Sequence, residues 1–149
     1  MKVFISSDHA GFELKNSLRE YLFHHGYDVE DLGPNKLNPE DDYPQFAFNL
    51  ATKVLGSDDK DARGLLVCGT GQGMAIAANR VAGIRAALAW NETAARDSRR
   101  DEDTNVLAPP AWLIKAEAAP KIVDAWLKEP FSRAPRHIRR IKAIEDLYG

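Results

Sequence analysis

Apolar positions along this chain follow two alternating rhythms. "KVFIS" (2–6) is a short β-rich run, and "SSDHAG" after it reads as a turn. Leu14, Leu18, Tyr21 and Leu22 then recur at helical spacing until Gly26, which stops that helix. "YDVEDLG" (27–33) predicts a second strand, and "PNKLNPEDDY" (34–43) a polar, proline-bounded loop. Pro44 suits the first turn of a helix carrying Phe46, Leu50, Val54 and Leu55. "RGLLVC", "IRAALAW" and "TNVLA" predict strands three to five. Further helices are expected over about 72–80, 91–100 and 114–128, with a last amphipathic one over 135–147.

Strands alternating with such helical stretches predict an α/β fold, a five-stranded parallel sheet with helices on both faces. Ligands of these sheets bind beyond the carboxyl ends of the strands. That rule gathers Ser6–His9, Cys68–Gly73 and the segment after Trp90 on one rim. No linker or low-complexity stretch divides the chain, so residues 1–149 are expected to form one domain.

Composition narrows the class. Twenty basic and 22 acidic residues leave a formal charge of −2, which argues against nucleic acid or a membrane surface as partner. One cysteine excludes an intrachain disulfide and a thiolate zinc cluster, and no His/Asp/Glu set has metal-ligand spacing. The amino terminus turns charged too early for a signal peptide, and no apolar run approaches the ~20 residues of a spanning helix. The expectation is a soluble, cytoplasmic protein without a metal.

Candidate chemistry centres on "VCGTGQGMAIAANR" (67–80). A strand that runs into a glycine loop and then a helix is a common cradle for an anion. This one lacks both the lysine of a P-loop and a true dinucleotide spacing. Cys68 at its mouth reads either as a small buried hydrophobe or as a thiolate stabilised by loop amides, able to act as base or nucleophile. Thr70 is placed to bond an oxygen of the same substrate. Asp8 reads as a helix N-cap, a role compatible with catalysis, and His9 as an anion ligand or proton carrier. "RAPRHIRRIK" (133–142) is either a solvated basic face or a clamp. Arg136 and Arg140, four apart with His137 beside them, suit phosphate oxygens. Asp101–Asp103 read as exposed helix end, and Trp90, Trp112 and Trp126 as packing residues. A nucleotide-binding module, a cysteine hydrolase and a non-catalytic sugar-phosphate binder are the rival readings.

The ordered set "SSDHAGFELK", "DYP" (42–44), "VCGTGQGMAIAANR", "GIRAALAW", "DTNVLA" (103–108), "IVDAWL" (122–127) and "RHIRR" (136–140) resembles the ribose-5-phosphate isomerase B family and the related galactose-6-phosphate isomerase subunits. The resemblance implies a three-layer α/β/α domain with a Rossmann-like sheet and a C-terminal helical tail. It implies aldose–ketose isomerisation of a sugar phosphate through an enediolate, without metal or organic cofactor. Cys68 corresponds to the base that shuttles a proton between C1 and C2. Thr70 and the amides around Gly69, Gly71 and Gly73 correspond to groups that stabilise the enediolate oxygen. Asp8, His9, Tyr43 and Asn105 correspond to residues of the sugar site, and Arg136, His137 and Arg140 to the phosphate clamp. The resemblance also implies a homodimer, or a dimer of dimers, with sites shared between subunits.

Two departures stand out. Asp101-Glu102 replaces the family's usual His-Asn, assigned to ring opening, so Asp101 is the candidate base for that step. Trp112 stands where an arginine usually reaches a neighbouring subunit's phosphate site. The simplest substrate the resemblance implies is ribose 5-phosphate, converted to ribulose 5-phosphate; the two changes favour the alternative, another aldose or its phosphate.

Overall fold

The β-rich runs lie side by side. In the computed structural model, which describes residues 1–149, β1 (Lys2–Ser7), β2 (Asp28–Asp31), β3 (Arg63–Val67), β4 (Ala86–Leu88) and β5 (Val106–Ala108) form one sheet in the order β2-β1-β3-β5-β4. Every pairing is parallel, with Leu65 opposite both Ile5 and Leu107. The helices are α1 (Phe12–His24), α2 (Tyr43–Leu55), α3 (Gln72–Ala78), α4 (Glu92–Glu102), α5 (Ala119–Lys128) and α6 (Pro135–Tyr148). This is the expected α/β architecture, with α6 as the C-terminal tail.

Two cores explain why the central strands are apolar without alternation. Val3, Ile5, Leu65, Val67 and Leu107 project toward Leu14, Leu18 and Leu22 of α1 and Ile122, Val123 and Trp126 of α5. Their neighbours Phe4, Leu66, Cys68, Val106 and Ala108 project the other way, against Leu50 and Val54 of α2 and Met74 and Ala78 of α3. Cys68 therefore lies on the α2–α3 side. The edge strands β2 and β4, covered less, are only partly buried.

The helix expected over 114–128 begins at Ala119, because Pro120 fits its first turn and residues 111–118 form successive turns. From β1 the chain moves outward to β2, then returns to place β3 on β1's other side. The two carboxyl ends diverge there and leave a crevice, the usual ligand position in such sheets. No helix is long and apolar enough to cross a membrane.

Candidate active site

At the crevice, the turn after β1 folds against the end of β3. The Asp8 N–H donates to the Val67 carbonyl at 3.3 Å. Gly11 lies so close to that peptide that a Cβ would sit 2.1 Å from the Val67 oxygen. Asp8 Oδ1 accepts the Gly11 N–H at 3.1 Å, whereas Gly11 itself holds the cap position of α1. The expected N-cap is thus displaced: Asp8 closes the turn before the helix and keeps a buried carboxylate beside β3. Burial pushes the Asp8 carboxyl up, opposed by the Gly11 N–H and the charge of His9.

Cys68 follows β3 directly. Gly71 adopts φ +77°, a left-handed turn that points its N–H back at Cys68 Sγ, 3.2 Å away. The flanking glycines are small for another reason. A Cβ on Gly69 would lie 2.6 Å from the Trp112 indole, and one on Gly73 2.6 Å from the Tyr43 ring. Thr70, partly exposed beside the thiol, accepts the Gln72 N–H through its hydroxyl at 3.4 Å. The thiol differs from the sequence expectation of a stabilised thiolate. Burial pushes it up, and the N–H groups of Met74, Gly71 and Thr70 only partly offset this, with the nearby Asp8 acting in the same direction as burial. A thiol of this kind is ionised less often but is the stronger base when it is.

A residue that the sequence reading missed completes this side. Asp41 Oδ1 accepts from both the backbone N–H of His9 (3.0 Å) and its Nδ1 (2.7 Å). Its other oxygen is buried and has no hydrogen-bond partner. The hydrogen bond to Asp41 holds His9 above the ordinary imidazole range. Within the acidic run "EDD" nothing in spacing separates Asp41 from its neighbours; only the return of the loop to β1 does. Asp8, His9, Asp41, Tyr43, Cys68, Thr70 and the three glycines thus share one rim.

The remaining candidates gather elsewhere. Helix α4 runs from its Asn91 cap at the rim toward the amino end of the sheet. Near its far end, Asp101 lies 3.8 Å from His137 Nε2, and His137 Nδ1 meets Ser132 Oγ at 2.7 Å. Arg100, hydrogen-bonded to Asp101, draws its carboxyl below the usual range, and the charges of His137 and Arg136 add to this. Arg136 and Arg140 stand exposed one turn apart on α6. Asn105 lies at this same end of the sheet: its amide oxygen accepts the Arg85 N–H at 2.8 Å and its amide nitrogen donates to the Gly83 carbonyl at 2.9 Å, bracing the amino ends of β4 and β5. Of the tryptophans only Trp126 is core, its indole N–H bonded to Thr104 Oγ1. Trp90 and Trp112 are exposed, and Trp112 lies over Gly69 of its own chain.

The sequence model of the Ribose/Galactose Isomerase family matches residues 3–144. The chain belongs to this family. It is 38% identical over 146 residues to the ribose-5-phosphate isomerase B of Mycolicibacterium paratuberculosis, covering 98% of this chain and 91% of the relative. The ribose-5-phosphate isomerase B of Clostridium thermocellum superposes with a TM-score of 0.93 at 41% identity, covering 99% of this chain and 97% of that one. That of Mycoplasma genitalium, solved with bound ribulose-5-phosphate, gives 0.92 at 43% identity, covering 97% and 94%. Membership in the family leaves a division to be explained: thiol, threonine and amides at one end of the sheet, guanidiniums and Asp101 at the other.

Proposed function

We propose that this protein interconverts ribose 5-phosphate and ribulose 5-phosphate through an enediolate, with Cys68 as the carbon base. The carrying observation is the Cys68 sulfur at the carboxyl end of β3, held by the Gly71 N–H beside Thr70 and the Asp8–His9 turn. Thiolate removes the proton from C2 of the open-chain aldose, and the electron pair moves to the carbonyl oxygen. The Thr70 hydroxyl and the loop amides meet that developing charge. The thiol then returns the proton to C1 as the O2 hydroxyl gives up its own proton and becomes the C2 ketone, while O1 takes up a proton, relayed by the Thr70 hydroxyl or solvent, and becomes the C1 hydroxyl. His9, whose hold on a proton Asp41 raises, and Asp8 bind hydroxyls.

Two copies complete the site in this reading. Arg136, His137, Arg140 and Asp101 lie beyond the reach of their own Cys68 and serve that of a neighbour in a homodimer. A lone catalytic thiol also suits the reducing cytoplasm. Asp101 favours a second reading, another aldose phosphate as preferred substrate, because a carboxylate lowered by Arg100 is a weak base for ring opening.

Replacing Cys68 with Ala is expected to cut turnover by about 10²–10⁴-fold and to abolish deuterium incorporation from D₂O at C1 of the product, while sugar-phosphate binding persists. Turnover within a few-fold of wild type would reject the role of Cys68. A panel of pentose and hexose phosphates, with ribose 5-phosphate expected fastest, decides between the two substrates.

A further inference from the structure

A cavity of about 470 Å³ opens at the amino end of the sheet, lined by Arg63, Arg85, Arg99 and Arg133 with Lys60 at its rim. Arg63 begins β3 and Cys68 follows its end, so the five residues of that strand put the cavity about 17 Å from the thiol. Neither Arg136 nor Arg140 lines it.

Two of its guanidiniums are buried and short of partners. Arg63 is only 9% exposed, forms no ion pair, and has Nη1 buried without a hydrogen bond. Arg99, 4% exposed, bonds Asp103 Oδ1 and the Thr104 carbonyl through Nη1, yet its Nε is buried and unpartnered. Asp103 is shared, since its Oδ2 also lies 3.4 Å from Arg85. Of the two other acids on the lining, Asp59 is already engaged by the Met1 amino group and the Lys2 N–H. The cations therefore outnumber the carboxylates, and a buried charge without a partner is expensive. Burial, with the charge of Arg99 added, lowers Arg63 to about 10.

The backbone points to the same place. Asp103 (φ 47°) and Arg133 (φ 56°) are the chain's non-glycine residues in the left-handed region, and both line this cavity. Strained residues of this sort gather at ligand sites.

We propose that this cavity is a second anion site, which takes the phosphate group of a small molecule between the buried forks of Arg63 and Arg99. Planar guanidiniums match phosphate oxygens in pairs, and the volume is that of a site for a small organic molecule. Free phosphate and a phosphate monoester share this chemistry. The site is independent of the isomerase reading.

Calorimetric titration of the whole protein with inorganic phosphate, and separately with glycerol 3-phosphate, tests it. Wild type is expected to bind at both the Arg63 cavity and the Arg136–Arg140 clamp. In Arg63→Met the cavity's affinity should fall by at least about tenfold, whereas Arg136→Ala with Arg140→Ala should leave it intact. Tighter binding of the ester identifies a monoester ligand, and equal binding identifies the free ion. Trp126, whose ring lies 5.6 Å from the Arg63 guanidinium, gives a fluorescence readout of the same event. Should Arg63→Met fail to fold, Arg133→Gly keeps the left-handed backbone and removes an exposed cation. Isotherms identical to wild type in the folded variant would overturn the proposal.

Discussion

Asp41 faces His9 and raises its hold on a proton, and this pair shows how one residue was legible and its partner was not. The notable turn "SSDHAG" exposed Asp8 and His9 to a reading of sequence, as "CGTGQG" exposed Cys68. Asp41 lies 32 residues from His9, and only tertiary folding brings its carboxylate within 2.7 Å of the imidazole. Removing that carboxylate in Asp41→Asn should return the His9 pKa toward about 6.5. Because the native pKa is raised, the pair's contribution to stability is complete below the unfolded value and lost as pH rises through the native one. The variant should lack that loss. In the proposed enzyme, its KM should begin to climb at a lower pH than in wild type, while kcat changes little. An imidazole titration by NMR that gives equal His9 pKa values in the two proteins would show that Asp41 does not hold the proton.

The elements were legible wherever apolar spacing was unbroken, and misread where packing rather than spacing set their limits. Ile114 and Ala118 extend a helical rhythm, but Pro120 and the turns before it delay α5. Lys15 is the opposite case, a charged residue inside the apolar face formed by Leu14, Leu18 and Leu22 of α1. Fully buried, its ammonium bonds both oxygens of Asp31 (2.9 and 2.8 Å) and the Pro34 carbonyl (2.9 Å). Burial pushes Asp31 up, but Lys15, the Gly33 N–H and Arg19 together bring it below the usual carboxylate range. This pair ties α1 to the end of β2, and so fixes the helix that follows the Asp8–His9 turn. Asp31→Ala leaves an unpaired buried ammonium and should cost about 3–5 kcal/mol in urea unfolding. A loss under about 1 kcal/mol would mean that water reaches Lys15 and the pair behaves as a surface one.

On the scale of the molecule, the sheet itself separates the chemistry. Cys68, Thr70 and the Asp8–His9 turn occupy the carboxyl ends of the strands. Asp101 and His137 meet at the far end of α4, where Arg85, just ahead of β4, also pairs with Glu145 of α6 at 3.0 Å. A strand of five residues spans about 17 Å, too far for a guanidinium on α6 to reach a sugar held at its own chain's thiol. Sequence motifs carry no distances; topology divides these residues into two halves, which a second copy joins in the proposed homodimer. Mixing tests this directly. Cys68→Ala alone lacks the base, and Arg136→Ala with Arg140→Ala alone lacks the clamp, so each homodimer should be nearly inactive on ribose 5-phosphate. After denaturation and joint refolding, half the dimers should be mixed, and in each of these one site unites an intact thiol with an intact clamp while the other has neither. Isologous pairing then predicts recovery of about one quarter of wild-type activity. If each site were built within one chain, no pairing of these variants would create an intact one, and the mixture would show only the average of its inactive parents.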